Sequence, residues 1–308
     1  MPSRPLRSFV ALALLASSAP ALHAQDIVVR GDALRQEEAA ARATAYVQAL
    51  GVATSTKAAA RWIDPVCPKV TGIADPKISA RVVARIRRIA GEIGAKIGKP
   101  GCRGNLMLAF ADDGGDLARR IGAANPRLMG QVPTDWRGQL VSGAEPVRWW
   151  YSFSMRGADG KPPVTSTLPW LSVDMDGGNN AVTANVDVGN ESGGGYNVGT
   201  SSSLISTNIK RAITSATVVV DVRRAEGKDL DAITDYAALV GLAEIRFVPS
   251  PPPDTVLALF QPDSAARGLT PQDEALLKSL YRLPLDRQGR YHRGWLVKDV
   301  GKSMGGGE

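Results

Sequence analysis

The sequence predicts an α+β chain: a small mixed sheet packed by a long helix on its N-terminal side and by helices from the C-terminal third. Three observations predict this class. Apolar residues recur at helical spacing from Pro76 to Ile97. Short runs rich in aromatic and β-branched residues, bounded by turn residues, read as strands. The C-terminal third carries cap and stop signals for successive helices.

From the N-terminus, Arg4 and Arg7 precede the apolar run "FVALALLASSAPALHA", which ends in small residues. That pattern is a secretory signal peptide, cleaved after Ala24 or, in the "APA" context, after Ala21. The run is shorter than the ~20 residues that span a bilayer, so a membrane anchor is the weaker reading. No cysteine lies in or just after it to carry a lipid anchor. The chain of 308 residues has 37 Lys and Arg against 30 Asp and Glu, a formal charge of +7. Loss of Arg4 and Arg7 with the leader leaves a modestly basic mature chain. Its cations are spread along the sequence, which does not make a nucleic-acid footprint. With 32 glycines and 20 prolines, above the usual share of about 12%, long ordered loops are expected.

Two cysteines, Cys67 and Cys102, survive into an oxidising compartment. A disulfide between them is the simplest reading, closing a loop worth about 3–4 kcal/mol in the chain-entropy model. A metal site or a catalytic thiol are the competing readings. A thiol nucleophile needs a histidine base, and the mature chain holds one histidine, His292, far away in sequence.

The elements follow in order. "DIVVRG" at 26–31 reads as a strand, and Asp32 as the N-cap of an alanine-rich helix that runs to about Leu50 and stops at Gly51. Residues 61–73 are extended and punctuated by proline. Ile78, Val82, Ile86, Ile89, Ile93 and Ile97 form one helix stripe, with Asp75 as cap, Pro76 in the first position, and Gly98 and Pro100 as the stop. Arg81, Arg85 and Arg88 flank that stripe. They read as a solvated helix edge whose stems cover the core margin, the alternative being a clamp for phosphate or carboxylate. Strands are expected at 102–110, 147–157 and 214–224, with a short helix in "GDLARRIGAANP". Helices are expected at about 230–246, 271–282 and 291–300. Between the last two strands, residues 173–206 are rich in Gly, Asn and Ser and longer than a plain connector.

The succession of a long amphipathic helix, an "NLMLAF" strand, a "VVVDV" strand, "DAITDYAALVGLAEIR" and "LFQPDSAARGLTPQDEALLKSLY" resembles a family of bacterial exported proteins of unknown function, classed with the zincin-like metallopeptidase folds. The resemblance covers roughly residues 58–290. It is most specific in the C-terminal third, where Thr270 caps and Pro271 opens the "LTPQDEALLKSLY" helix. It implies a zincin-like domain over 58–303 with an insertion at about 173–206, preceded by a strand and helix at 25–57 and followed by a flexible tail at 304–308. In that fold the penultimate helix bears H-E-x-x-H or a reduced form of it.

Chemistry limits what the resemblance carries over. A zincin site needs two imidazoles one helical turn apart and a glutamate to activate the metal-bound water. The helix here offers Asp235, Tyr236, Ala237, Ala238, Leu239 and Glu244, with no histidine. One chain with a single mature histidine cannot build the site, so the helix reads as scaffold with a dispensable polar face. Asp174 and Asp176, in "DMDGGNN", are weak oxygen ligands for calcium. An EF-hand would place glutamate where Asn185 stands. The "SSS" at 201–203 has no neighbouring base, and Asp112–Asp113 reads as a turn or cap. No phosphate loop or G-x-S-x-G elbow occurs. No catalytic residue and no cofactor is assigned.

The function expected is a non-catalytic envelope protein, periplasmic or secreted, on a degenerate zincin-like scaffold. It binds a peptide, a glycan or a protein partner through a strand edge and the long loop, and binds no nucleic acid. The alternative is an envelope hydrolase or peptidase that uses carboxylates or a loop-bound metal. Mass spectrometry of an envelope fraction is expected to find a mature N-terminus at Gln25 or Leu22. An intact Met1 in the cytoplasm excludes export.

Overall fold

The computed structural model describes residues 23–126, 132–157, 207 and 209–305, with the side chains of the first helix described from residue 35 onward. It is a mixed α+β architecture. Helix α1 spans His23–Leu50, α2 Pro76–Glu92, α3 Gly114–Ala124, α4 Thr134–Ser142, α5 Leu230–Leu242, α6 Pro271–Arg282 and α7 Gly289–Met304. Strands are β1 Arg61–Trp62, β2 Pro68–Thr71, β3 Leu106–Ala111, β4 Val147–Arg156 and β5 Lys210–Asp221.

Strand β5 organises the sheet. β4 runs antiparallel along one of its edges for its full length, with a register shift at Ser152/Phe153. Its other edge is shared end to end by two parallel partners, β1 at Ala212–Ile213 and β3 at Ala216–Asp221. β2 then adds parallel to β3. The run Val218–Val220 is fully buried, as a strand covered on both faces must be. α5 packs on one face of β5 and holds α2, which lies against β2, while α3 covers the other face and carries α4. α7 packs on α1 and on α6.

Several expectations are corrected. Residues 26–31 are helical, inside α1. Among the described residues no strand lies alongside them, so the β-branched "IVV" has no ladder to join and the alanine-rich helix runs through. Asp32 is therefore inside the helix. α2 stops at Glu92, because Gly94 takes a left-handed φ of 86°. The chain then doubles back, and Ile97 makes a parallel bridge to Val66. Ile97 is thus off the helix, and Ile78 at its other end is 40% exposed, so the core stripe is Val82, Ile86 and Ile89 with Ala90. Met304, assigned to a tail, is the last residue of α7. Helix α4 and the 3₁₀ turn Val256–Phe260 have no counterpart among the expected elements. The caps at Asp75, Pro76, Thr270 and Pro271 stand as read, and Thr270 and Asp273 form a reciprocal capping box.

Cys67 and Cys102 form a disulfide with Cα atoms 6.0 Å apart. It ties the start of β2 to the turn before β3. The same junction is closed by Asn105, whose side chain accepts Cys67 N–H at 2.7 Å and donates to Pro65 O at 3.0 Å.

α5 is the central helix, with every residue from Ala232 to Leu242 buried. Gly241 lets it approach the sheet, since a Cβ there would lie 2.9 Å from the Leu106 side chain. A buried helix end must still satisfy its last four carbonyls. Leu239 O accepts from Ala243 N. Val240 O accepts from the Tyr151 hydroxyl at 2.6 Å, Gly241 O from Trp62 Nε1 at 2.9 Å and Leu242 O from the Tyr281 hydroxyl at 2.9 Å. Three strands and helices thus each contribute one aromatic donor. Tyr151 Oη also lies 2.8 Å from Ala243 O and accepts Ile245 N–H at 3.0 Å.

At the other end, Asp229 caps α5. A second buried anchor is Asp273, which accepts from Tyr46 and Thr255 hydroxyls at 2.6 Å each and from Val256 N and Thr270 N. Burial pushes its carboxyl above the ordinary range even with four donors around it. Leu239→Ala is expected to cost about 2–5 kcal/mol through the cavity it leaves. Tyr151→Phe and Tyr281→Phe are each expected to cost about 1–3 kcal/mol, because buried carbonyls lose their only side-chain donor. Urea unfolding of the three variants measures both effects.

Candidate functional site: an aromatic cleft on the free edge of the sheet

On the edge of β4 away from β5, a cleft of about 650 Å³ opens between residues 132–136, β4 and the segment 244–249 that follows α5. Its wall is aromatic. Trp136 stacks on Phe247 with centroids 4.1 Å apart and an interplanar angle of 17°. Trp149 sits 5.5 Å from Trp136 and 6.0 Å, edge-on, from Tyr236. Trp136 Nε1 donates to Trp149 O, and Trp149 Nε1 to Ile245 O, so both rings are locked by backbone acceptors.

The other end is ionic. Glu244 is 8% exposed. Arg211 meets it with two bonds, at 2.6 and 3.2 Å, and Lys57 Nζ lies 2.8 Å from its Oε1. Arg211 also donates to Ala58 O and lies over the Phe153 ring, 4.6 Å from its centroid. One carboxylate held by two cations leaves this end of the cleft net positive. On β4, the buried Trp150 Nε1 and Ser152 Oγ have no hydrogen-bond partner among the described residues.

The stretch "YAALVGLAEIR" therefore divides. Tyr236–Leu242 is helix, and Ala243 leaves it with extended backbone. Glu244 is consequently on the cleft segment rather than on the helix, a correction to the expected helix end at 246. A second correction concerns the polar face. Asp235 is 4% exposed and takes a two-bond salt bridge from Arg85 at 2.5 and 2.8 Å, while its Oδ2 also accepts Leu269 N–H. Asp231 pairs with Arg81 at 2.6 Å. Of the three arginines read as a solvated edge, Arg81 and Arg85 bind α2 to α5, and Arg88 makes an exposed pair with Glu92. Asp235 and Glu244 are buried and paired, so neither is dispensable.

His292 is buried on α7, and both its ring nitrogens are committed. Nδ1 accepts Ala59 N–H at 3.0 Å, and Nε2 lies 2.9 Å from Pro284 O, to which it donates. That leaves no lone pair for a metal. Asp113 is the N-cap of α3, accepting Asp116 N–H at 2.8 Å. Asp174, Asp176, Ser201–Ser203 and the rest of 173–206 lie outside the described residues, as do residues 1–22 of the expected signal peptide at 1–24. Lys57, Trp136 and Arg211 were not singled out in the sequence; "VRWWYSF" was the signal, read there only as a strand.

Compared with family models, curated proteins and solved structures, the chain matches none. The class defined by fold and site is thus an α+β chain with an aromatic cleft beside the outer edge of β4, with which no strand pairs among the described residues.

Burial holds the His292 ring below its ordinary pKa. A depressed folded value means that the unfolded chain takes up a proton first. The contribution of the neutral ring is fully present above about pH 6.5 and is lost as pH falls through the folded value. Urea unfolding between pH 8 and 5 is expected to show stability falling below about pH 6.5, and His292→Gln is expected to flatten that part of the curve.

Proposed function

We propose that this is an exported, non-catalytic binding protein of the cell envelope, on a degenerate zincin-like scaffold, whose cleft takes up an extended peptide. The observation that carries the reading is the second edge of β4. Asp221 N–H donates to Pro146 O, which sets the residues whose backbone groups face β5 at 146, 148, 150 and 152. The N–H groups of Trp149 and Tyr151 and the Tyr151 carbonyl then point away from β5, toward the cleft, while Trp149 O on the same edge is taken by Trp136 Nε1. Among the described residues no strand pairs with that edge. A peptide can add there as a further strand, its alternate side chains resting on the aromatic wall. The positive Lys57–Arg211–Glu244 end favours an acidic side chain or a terminal carboxylate.

Binding is favoured over hydrolysis because the one carboxylate lining the cleft among the described residues is occupied. Glu244 is held by two cations, so it is not placed to take a proton from water. The zincin-like ancestry rests on the sequence resemblance across residues 58–290. Export rests on the N-terminal pattern.

The test combines tryptophan fluorescence with amide hydrogen exchange on the mature protein, using a pool of terminally blocked hexapeptides. Peptide addition is expected to slow exchange at the Trp149 and Tyr151 amides and to shift the fluorescence. A fluorescence response to oligosaccharides, with no protection of those amides by peptides, refutes the peptide reading in favour of a glycan.

A further inference from the structure

A second cleft, of about 440 Å³, lies where α3, the end of α4 and the end of β5 meet. It is lined by four arginines, Arg119, Arg148, Arg223 and Arg224, and by the carboxylates Asp113 and Asp221. It belongs to a different part of the molecule from the aromatic cleft and shares no lining residue with it.

Its charge pairs are looser than the tightest ones in the protein. Three arginines elsewhere close on a carboxylate at short range: 2.5 Å for Arg85–Asp235, 2.6 Å for Arg81–Asp231 and 2.6 Å for Arg211–Glu244. In this cleft the approaches are 3.6 Å for Arg224–Asp221, 3.8 Å for Arg223–Asp113 and 3.9 Å for Arg148–Asp221. Both carboxylates are instead engaged by backbone N–H groups. Asp221 takes Gly114 N at 3.1 Å and Arg224 N at 3.1 Å, and Asp113 takes Asp116 N. None of the three guanidiniums is therefore neutralised at hydrogen-bond distance by Asp113 or Asp221.

Arg148 is the clearest case. It is 2% exposed, and its terminal nitrogens donate to Glu145 O and Gly143 O at 2.6 Å each. Its Nε is buried without a hydrogen-bond partner among the described residues. A buried cation bound to neutral carbonyls, with its nearest carboxylate at 3.9 Å, is incompletely compensated. Arg223 is anchored through Nε to Asp112 O at 2.5 Å. Arg119 pairs outward with Asp116 at 3.3 Å. The four cations outnumber the two lining carboxylates, and the cleft is walled almost entirely by polar groups.

We propose that this cleft binds a phosphate-bearing anion. Guanidinium forks match the oxygens of a phosphoryl group. The anion supplies the close counter-charge that Asp113 and Asp221, committed to backbone N–H groups, do not. The phosphate can be carried by a soluble molecule or by a lipid headgroup. This inference stands independently of the peptide reading.

The test uses the mature protein with inorganic pyrophosphate in calorimetry, and phosphatidylcholine vesicles with and without phosphatidylglycerol in co-sedimentation. The Arg223 and Arg224 side chains are 70% and 49% exposed, so Arg223→Ala/Arg224→Ala is expected to fold normally by circular dichroism. Pyrophosphate is expected to bind at one site. The double variant is expected to weaken it by roughly tenfold or more, whereas Lys77→Ala/Lys99→Ala, equal in charge loss but outside the cleft, stays within about twofold. Binding to phosphatidylglycerol vesicles that is lost in the arginine variant places the phosphate on a lipid. Binding of pyrophosphate alone places it on a soluble molecule. Either result supports the site. No saturable binding in either assay, or equal loss in the arginine and lysine variants, overturns it.

Discussion

The carbonyl end of α5 is the constraint around which the rest is arranged. A helix buried from Ala232 to its end at Leu242 cannot use water to satisfy its last carbonyls, and leaving them bare costs several kcal/mol in sum. Here donors come from β1, β4 and α6, through Trp62, Tyr151 and Tyr281. Those three elements must therefore meet at one point. That requirement fixes where β4 lies relative to α5, and hence where the aromatic cleft opens. Trp149, two residues from Tyr151 on the same strand, makes the parallel contact to Ile245 O, so the cleft segment is held by the same device.

The other end of α5 is held by charge. Arg81 and Arg85 of α2 meet Asp231 and Asp235, and Asp235 reaches on to the backbone before α6. With Asp229 as the cap, the first two turns carry three carboxylates, which complement the helix dipole as well as the two arginines. Where a catalytic helix of zincin type presents histidines, this helix presents apolar side chains and salt-bridged carboxylates to its neighbours. Its role is to position the strand edge and the Glu244 segment.

Much of the architecture was legible from local pattern. The α2 stripe, the caps at Asp75 and Thr270, the valine run of β5 and the pairing of Cys67 with Cys102 each depend on residues close in sequence, or on the only two thiols in the chain. The errors came where local and long-range preferences conflict. "DIVVRG" has strand propensity, but β-propensity expresses packing against a neighbouring strand, and none lies beside it among the described residues. Ile97 continues the spacing of the stripe, but a left-handed Gly94 interrupts the helix before it. Helix α4 has weak amphipathic character and stands on contacts with α3 and β4.

The site was less legible than the fold, for a physical reason. Lys57 and Arg211 are separated by more than 150 residues of sequence, and no spacing rule links them to Glu244 or links Arg148 to Asp221. What the sequence by itself determined is the α+β class, most of the helix and strand segments, and the one cysteine pair the chain can form. Those follow from nearest-neighbour sterics, periodicity and stoichiometry. Only the tertiary structure decided that Asp235 is a buried anchor, that Glu244 leaves the helix for the cleft, and that four arginines surround two already occupied carboxylates. Burial and charge pairing are properties of what the folded chain brings alongside, and they are set by contacts that do not exist until the sheet and α5 have assembled.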